Sequence, residues 1–192
     1  MDIDIDFANR DSILSIIDHV PAALKDKKGI SAKHKTGVYC HAIPVNPLLG
    51  TASIDYKEAE ERGYFKIDFL NVGIYQGVKD EAHLTRLIDT EPLWDLLLED
   101  EFTDQLFHVN GHGDLLRKMK PRSIEQLAMV LALIRPAKRH LIGLSWDKIS
   151  KTVWEKDSSG GYGFKRSHGL AYAHLVVVHM NLICEQISQE PG

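Results

Sequence analysis

The sequence predicts an α+β protein, with a small αβ lobe over residues 1–75 followed by a helical lobe over 76–192. Three observations carry this. Apolar and polar residues alternate with a period of two in MDIDIDF (1–7) and again in GYFKIDFLNVG (63–73). From about residue 72 onward the signals become helical, with caps and stops. No internal repeat or long linker interrupts the chain, which at 192 residues is long enough to build one proper core or two small lobes.

In the first segment Ile3, Ile5 and Phe7 face one way and Asp2, Asp4 and Asp6 the other, as in a half-buried strand. Ile13, Ile16, Ile17 and Val20 then recur at helical spacing, and Pro21 is expected to close that helix. KDKKG reads as a polar loop and GVYCHAIPV (37–45) as a second strand. YKEAEERG reads as a short helix stopped by Gly63. The third strand puts Phe65, Ile67 and Phe69 inward and Lys66 and Asp68 outward. Helices are expected over 76–88, 92–99, 113–119, 124–134 and 167–188; Ser123 and Gln126 form a capping box and Pro136 is a stop. WEKDSSGGYGF (154–164) is a Ser/Gly-rich loop.

The net charge of −4 conceals a division: residues 1–104 carry −9 and residues 105–168 carry +7. Such segregation suits a protein that binds both a divalent cation and a polyanion, because carboxylates recruit metal while Lys and Arg neutralise phosphates. Cys40 and Cys184 sit in apolar stretches far apart, which fits two reduced, buried thiols in a cytosolic setting. The first 20 residues lack a basic flank and an apolar run, and no apolar stretch is expected to reach the roughly 20 residues needed to span a bilayer, so neither export nor membrane insertion is expected.

Alternate residues of a strand project to one side about 6.6 Å apart, so Asp2 and Asp4 can turn toward a common cation. Acids this close repel unless a cation lies between them, and hard oxygen ligands suit Mg2+ or Mn2+ rather than zinc. With Asp68 on a neighbouring strand, the three could bracket two ions about 4 Å apart, and Lys66 would point at phosphates. His108 and His112 in HVNGHG flank a turn and have no third ligand nearby, so zinc is not expected. Trp94, Trp146 and Trp154 are read as core.

Five segments, in order, resemble the bacterial C-family DNA polymerases, the polymerase III alpha subunits. MDIDIDF with NRDSILSII is similar to their PDIDIDF strand and helix, and KHKTGVYCHAI (33–43) to the stretch around GVHA. ERGYFKIDFLNVGI (61–74) resembles GLLKFDFLGL. The stretch from Phe102 to Pro136 resembles the segment ending in ALYRPGP, and GYGFKRSHGLAYA (161–173) resembles YGFNKSHAAAYA. The resemblance covers roughly two thirds of the chain. It implies a nucleotidyltransferase-like palm sheet joined to a fingers-like helical lobe, in a miniature polymerase core, phage-encoded or bacterial and cytoplasmic. Asp2, Asp4 and Asp68 match the metal-binding, catalytic aspartates, and Lys66 the basic residue beside them. Arg166, Ser167 and His168 fall on the Lys-Ser-His near the incoming triphosphate. Arg117 and Arg135 match basic finger positions and, with Lys118 and Lys120, are the expected nucleic-acid contacts.

The implied partners are primer-template DNA and dNTP, with Mg2+ or Mn2+ as cofactor. The Gly-Ser helix that precedes the DxD strand in the family has no counterpart in this sequence, so a second polypeptide is expected to complete the polymerase. The alternative reading is a polymerase-derived DNA-binding or regulatory module without catalysis; a metal-dependent nuclease ranks third.

Overall fold

The computed structural model describes residues 3–26, 29–155 and 164–189. The protein is α+β and divides into two compact units, Met1–Gly77 and Val78–Gly192.

The first unit holds a four-stranded mixed sheet in the order β1-β4-β3-β2. Its strands are β1 (Ile3–Phe7), β2 (Val20–Lys25), β3 (Ser31–Tyr39) and β4 (Ile67–Asn71). β1 runs parallel to β4, and the remaining pairs are antiparallel. α1 (Arg10–Leu14) starts at an Asn9 cap whose Oδ1 accepts from the Asp11 and Ser12 N–H groups. It ends well short of the expected helix, and Ile16 is 77% exposed. Pro21 does not stop a helix there. It pushes Val20 into extended backbone and opens β2, an edge strand where a residue without an N–H is tolerated.

The second strand also differs from the expected 37–45. β3 begins at Ser31 and ends at Tyr39, and it carries a large bulge: two steps along β2, from Pro21 to Ala23, oppose five along β3, from Val38 to Lys33. The extra residues hide the alternation that would have marked a strand. α2 (Tyr56–Glu61) is capped by Asp55, whose Oδ1 accepts from the Lys57 N–H. It closes through Gly63 at φ 85°, with the Tyr64 N–H donating to Ala59 O and the Gly63 N–H to Glu60 O, the helix-stop pattern that favours glycine.

The second unit is helical. It comprises α3 (Glu81–Asp89), α4 (Asp100–Thr103), α5 (Gly113–Met119), α6 (Ile124–Leu133), α7 (Trp146–Thr152) and α8 (Arg166–Gln189). Single 3-10 turns lie at Trp94–Leu98 and Pro136–Leu141. α3 starts later than residue 76 because Asp80 caps it, Oδ1 accepting from the His83 N–H at 2.7 Å. Every residue of α6 from Leu127 to Leu133 is buried, which makes it the central helix; it packs against Ala173, Val176, Val177, Met180 and Ile183 of α8. Trp94 is buried in this core, with Trp146 and Trp154 packed against it. Cys184 is half-buried, but Cys40 is exposed, because it lies just past the end of β3 rather than inside a strand. α8 also departs from the expectation that no segment reaches membrane length. By length and composition it could cross a bilayer, since its polar residues are almost all uncharged, yet half of its most apolar stretch is buried inside the unit.

Candidate active site

The β1–β4 pairing places Asp4 directly opposite Asp68, with Ile3 opposite Ile67 and Ile5 opposite Phe69. Neighbouring strands lie about 4.8 Å apart and paired residues share a face, so the two aspartates project side by side. Asp6 follows on that face, where burial and the nearby charge of Asp4 raise its pKa. The other face is apolar, and the rings of Phe7 and Phe69 are 4.8 Å apart. Turning the isoleucines toward this apolar face obliges the alternate acids to line up on the opposite one. Asp2 lies outside the described residues.

Asp68 sits at the centre of a built environment. Its side chain is 14% exposed and that of Lys66, just ahead of β4, is 12% exposed. The Lys66 ammonium donates to Asp68 Oδ2, and the Thr36 hydroxyl donates to Oδ1 at 2.7 Å. Burial pushes the Asp68 pKa up, but the hydrogen bonds from Lys66 and Thr36 outweigh it and hold the carboxyl below its ordinary range. The Lys66 ammonium also lies 5.8 Å from the centre of the Tyr56 ring, which the His34 ring meets edge-on at 5.3 Å.

The β3 bulge turns His34 and Thr36 toward Asp68 together. His34 Nδ1 accepts from the Gly37 N–H at 2.9 Å and from the Thr36 N–H at 3.3 Å, so it carries no proton and the neutral ring bears its hydrogen on Nε2. Burial, then the Lys66 charge, lowers the His34 pKa in agreement. The 3.8 Å separation of Nδ1 from Asp68 Oδ1 is therefore a neutral contact and not an ion pair. On the same face the Tyr39 ring is 1% exposed and its hydroxyl has no partner among the described residues.

Asp4 and Asp68 offer oxygen donors, one of them held ionised, and this suits a hard divalent cation. Among the described residues no group of three or more His, Cys, Asp or Glu is placed to hold a metal ion. Magnesium keeps several waters and typically binds one or two carboxylates plus substrate phosphates, so a two-aspartate site fits it. Lys66 is the resident counter-charge with which such an ion would compete.

In the helical unit, Arg166, Ser167 and His168 form the first turn of α8, and the His168 ring lies 6.3 Å from that of Tyr172. Arg135 sits over the Phe164 ring at 5.0 Å. Lys118 and Lys120 are exposed. Arg117 is already engaged, its guanidinium donating to Asp100 and, at 2.5 Å, to Asp114. His34, Thr36, Gly37 and Tyr56 were not singled out by the sequence reading. His34 and Thr36 offered only their position ahead of the Gly-Val-Tyr run that begins at Gly37, and the β3 bulge and the packing of Tyr56 from α2 that give these residues a role are tertiary events.

Comparison with protein-family models, curated proteins and solved structures returned no match.

Proposed function

We propose that this protein is the core of a template-directed DNA polymerase, transferring nucleotidyl groups from dNTP to a primer 3′-hydroxyl. The observation that carries the reading is the in-register placement of Asp4 and Asp68 on adjacent parallel strands, on one face. Asp4 and Asp68, joined by Asp2, would hold Mg2+; when bound, the metal supplies activation of the hydroxyl and neutralisation of the charge that develops on the phosphates. The chain's own residues prepare for this. Thr36 and Lys66 keep Asp68 ionised, the state a metal ligand must have. Lys66, released from Asp68 as a divalent ion takes its place, would be free to turn its ammonium to a phosphate. Asp4, on an edge strand and exposed, leaves this face open to a ligand as large as a primer terminus.

The test is extension of a primed template with dNTPs and Mg2+ by the wild type, Asp4→Asn and Asp68→Asn. Extension by the wild type that both substitutions abolish is expected; no extension at any protein concentration would refute activity of the chain on its own, and nucleotide binding that Mg2+ leaves unchanged as well would refute the proposal.

One observation favours a second reading. The Lys66 ammonium neutralises Asp68 with no metal required, as in a protein that has kept the polymerase sheet as a DNA-binding or regulatory module. Magnesium titration separates the two: nucleotide and DNA binding that is unchanged by Mg2+, in wild type and Asp4→Ala alike, selects the non-catalytic module.

A further inference from the structure

The His34 ring is held from three sides. Its Nδ1 takes the Gly37 and Thr36 N–H groups, the ring meets that of Tyr56 in a T-shaped contact at 5.3 Å, and Nδ1 lies 3.8 Å from Asp68 Oδ1. The two nitrogens of an imidazole point in divergent directions. With Nδ1 turned into the bulge, Nε2 and its hydrogen turn away from it. Nε2 makes no hydrogen bond to any described residue, and the side chain is 19% exposed. The result is an oriented N–H donor with no recipient among the described residues, on a ring whose Nδ1 lies 3.8 Å from Asp68 Oδ1.

We infer that the His34 Nε2–H binds an anionic phosphate oxygen of a nucleoside triphosphate, making His34 a substrate-binding residue of this site. The inference rests on the nucleotide reading above and names a residue for it. Three features match the role. The donor is fixed before the ligand arrives, so little ordering entropy is lost on binding. It is neutral, so it can approach a phosphate beside Lys66 and a divalent ion without adding a third positive charge. Gly37 makes the arrangement possible, because a Cβ there would come within 2.7 Å of Lys66 Cδ and 3.0 Å of His34 Nδ1.

Two substitutions separate donor from scaffold. In His34→Asn the amide oxygen can take the place of Nδ1 and keep the backbone bonds, while the Nε2 donor is lost. In His34→Gln the amide nitrogen can reach the position of Nε2, while the acceptor for the Gly37 N–H is lost. The probes are a fluorescent dATP analogue with Mg2+, read by anisotropy, and inorganic tripolyphosphate as competitor, with thermal melts of each variant. The expected result is that His34→Asn melts like the wild type but binds both probes about ten- to a hundredfold more weakly, the range for a hydrogen bond to a charged group. His34→Gln is expected to melt lower and to bind within a few fold of the wild type.

Wild-type affinity in His34→Asn would overturn the inference, as would failure of the wild type to bind either probe. Weaker binding by both variants in step with their melting temperatures would reduce His34 to a scaffold and overturn it too. The polymerase reading fails separately: absence of primer extension with the His34→Asn binding defect intact removes the reaction and leaves the phosphate contact.

Discussion

Replacing Gly37 by alanine would place a Cβ 2.7 Å from Lys66 Cδ, 3.0 Å from His34 Nδ1 and 3.1 Å from Lys66 Cγ. None of these neighbours can step aside freely. Lys66 is anchored at one end by the backbone entering β4 and at the other by Asp68, and His34 is anchored by the Gly37 N–H itself. Overpacking of this kind costs about 1–3 kcal/mol. If Lys66 is driven off Asp68, loss of a hydrogen bond to a charged group adds about 1.5–3 kcal/mol. Reduced freedom of the unfolded chain returns about 0.4–1 kcal/mol. A net destabilisation of roughly 1.5–5.5 kcal/mol, at about 4–8 °C per kcal/mol for a unit of this size, lowers Tm by at least about 6 °C. The melt should be run beside Gly73→Ala, where a Cβ meets nothing within 4 Å and no loss is expected.

A second readout is the titration of Asp68, followed by NMR. With its pKa below the ordinary 3.8, Asp68 contributes stability that is fully present above that value and lost as the pH falls through the lowered one. In Gly37→Ala the titration should move up toward 3.8. A Gly37→Ala protein melting within about 2 °C of the wild type, with Asp68 titrating as before, would refute the placement of Lys66 across Gly37.

Three further outcomes are expected. His108 has its pKa lowered from 6.5 to about 4 by burial and then by the charge of Arg135, and burial lowers that of His179. Below 6.5 the unfolded chain takes up protons that the fold refuses, so stability present above 6.5 should decline toward pH 4; after allowance for solvent screening the loss is roughly 1–2 kcal/mol, and equal urea midpoints at about pH 7 and about pH 5 would contradict it. Asn181 is 6% exposed and donates to Leu87 O and Thr90 O at the end of α3, both at 2.9 Å. Asn181→Leu leaves two carbonyls without donors and should cost about 2–4 kcal/mol in chemical denaturation, whereas a change under about 0.5 kcal/mol would show that water takes the amide's place. For DNA binding, Lys118→Gln and Lys120→Gln should each lower the salt dependence of log Kobs by about 1, while Arg117→Gln, already paired to Asp100 and Asp114, should leave it unchanged. An equal reduction for Arg117→Gln would show that DNA displaces those acids.

The α+β class and the strands β1 and β4 were legible because charge and apolarity alternate there without interruption. The two faces of MDIDIDF and FKIDF can be read directly from the period of two. β2 was not legible, since VPAALK has low strand propensity and a proline, and only its edge position makes it viable. β3 was misplaced because the bulge shifts its register. α6 was legible from its Ser123 cap and unbroken apolar run. The capping box proved asymmetric, the Gln126 side chain accepting from the Arg122 N–H rather than from Ser123. In the candidate site, Asp4, Asp68 and Lys66 were visible as a pattern along two strands. The surroundings of Asp68 were not, because Thr36 and His34 reach it, and Tyr56 reaches His34 and Lys66, only after three separate stretches of chain have folded together.

The parallel union of the first and last strands of the sheet has a kinetic consequence. Asp4 and Asp68 meet across more than sixty residues of intervening chain, so joining them demands a large loop-closure entropy and places the step late in the assembly of this unit. A chain made only as far as β3 has no paired aspartates to offer a cation. The aspartate pair thus comes into being only once the sheet of the first unit is closed.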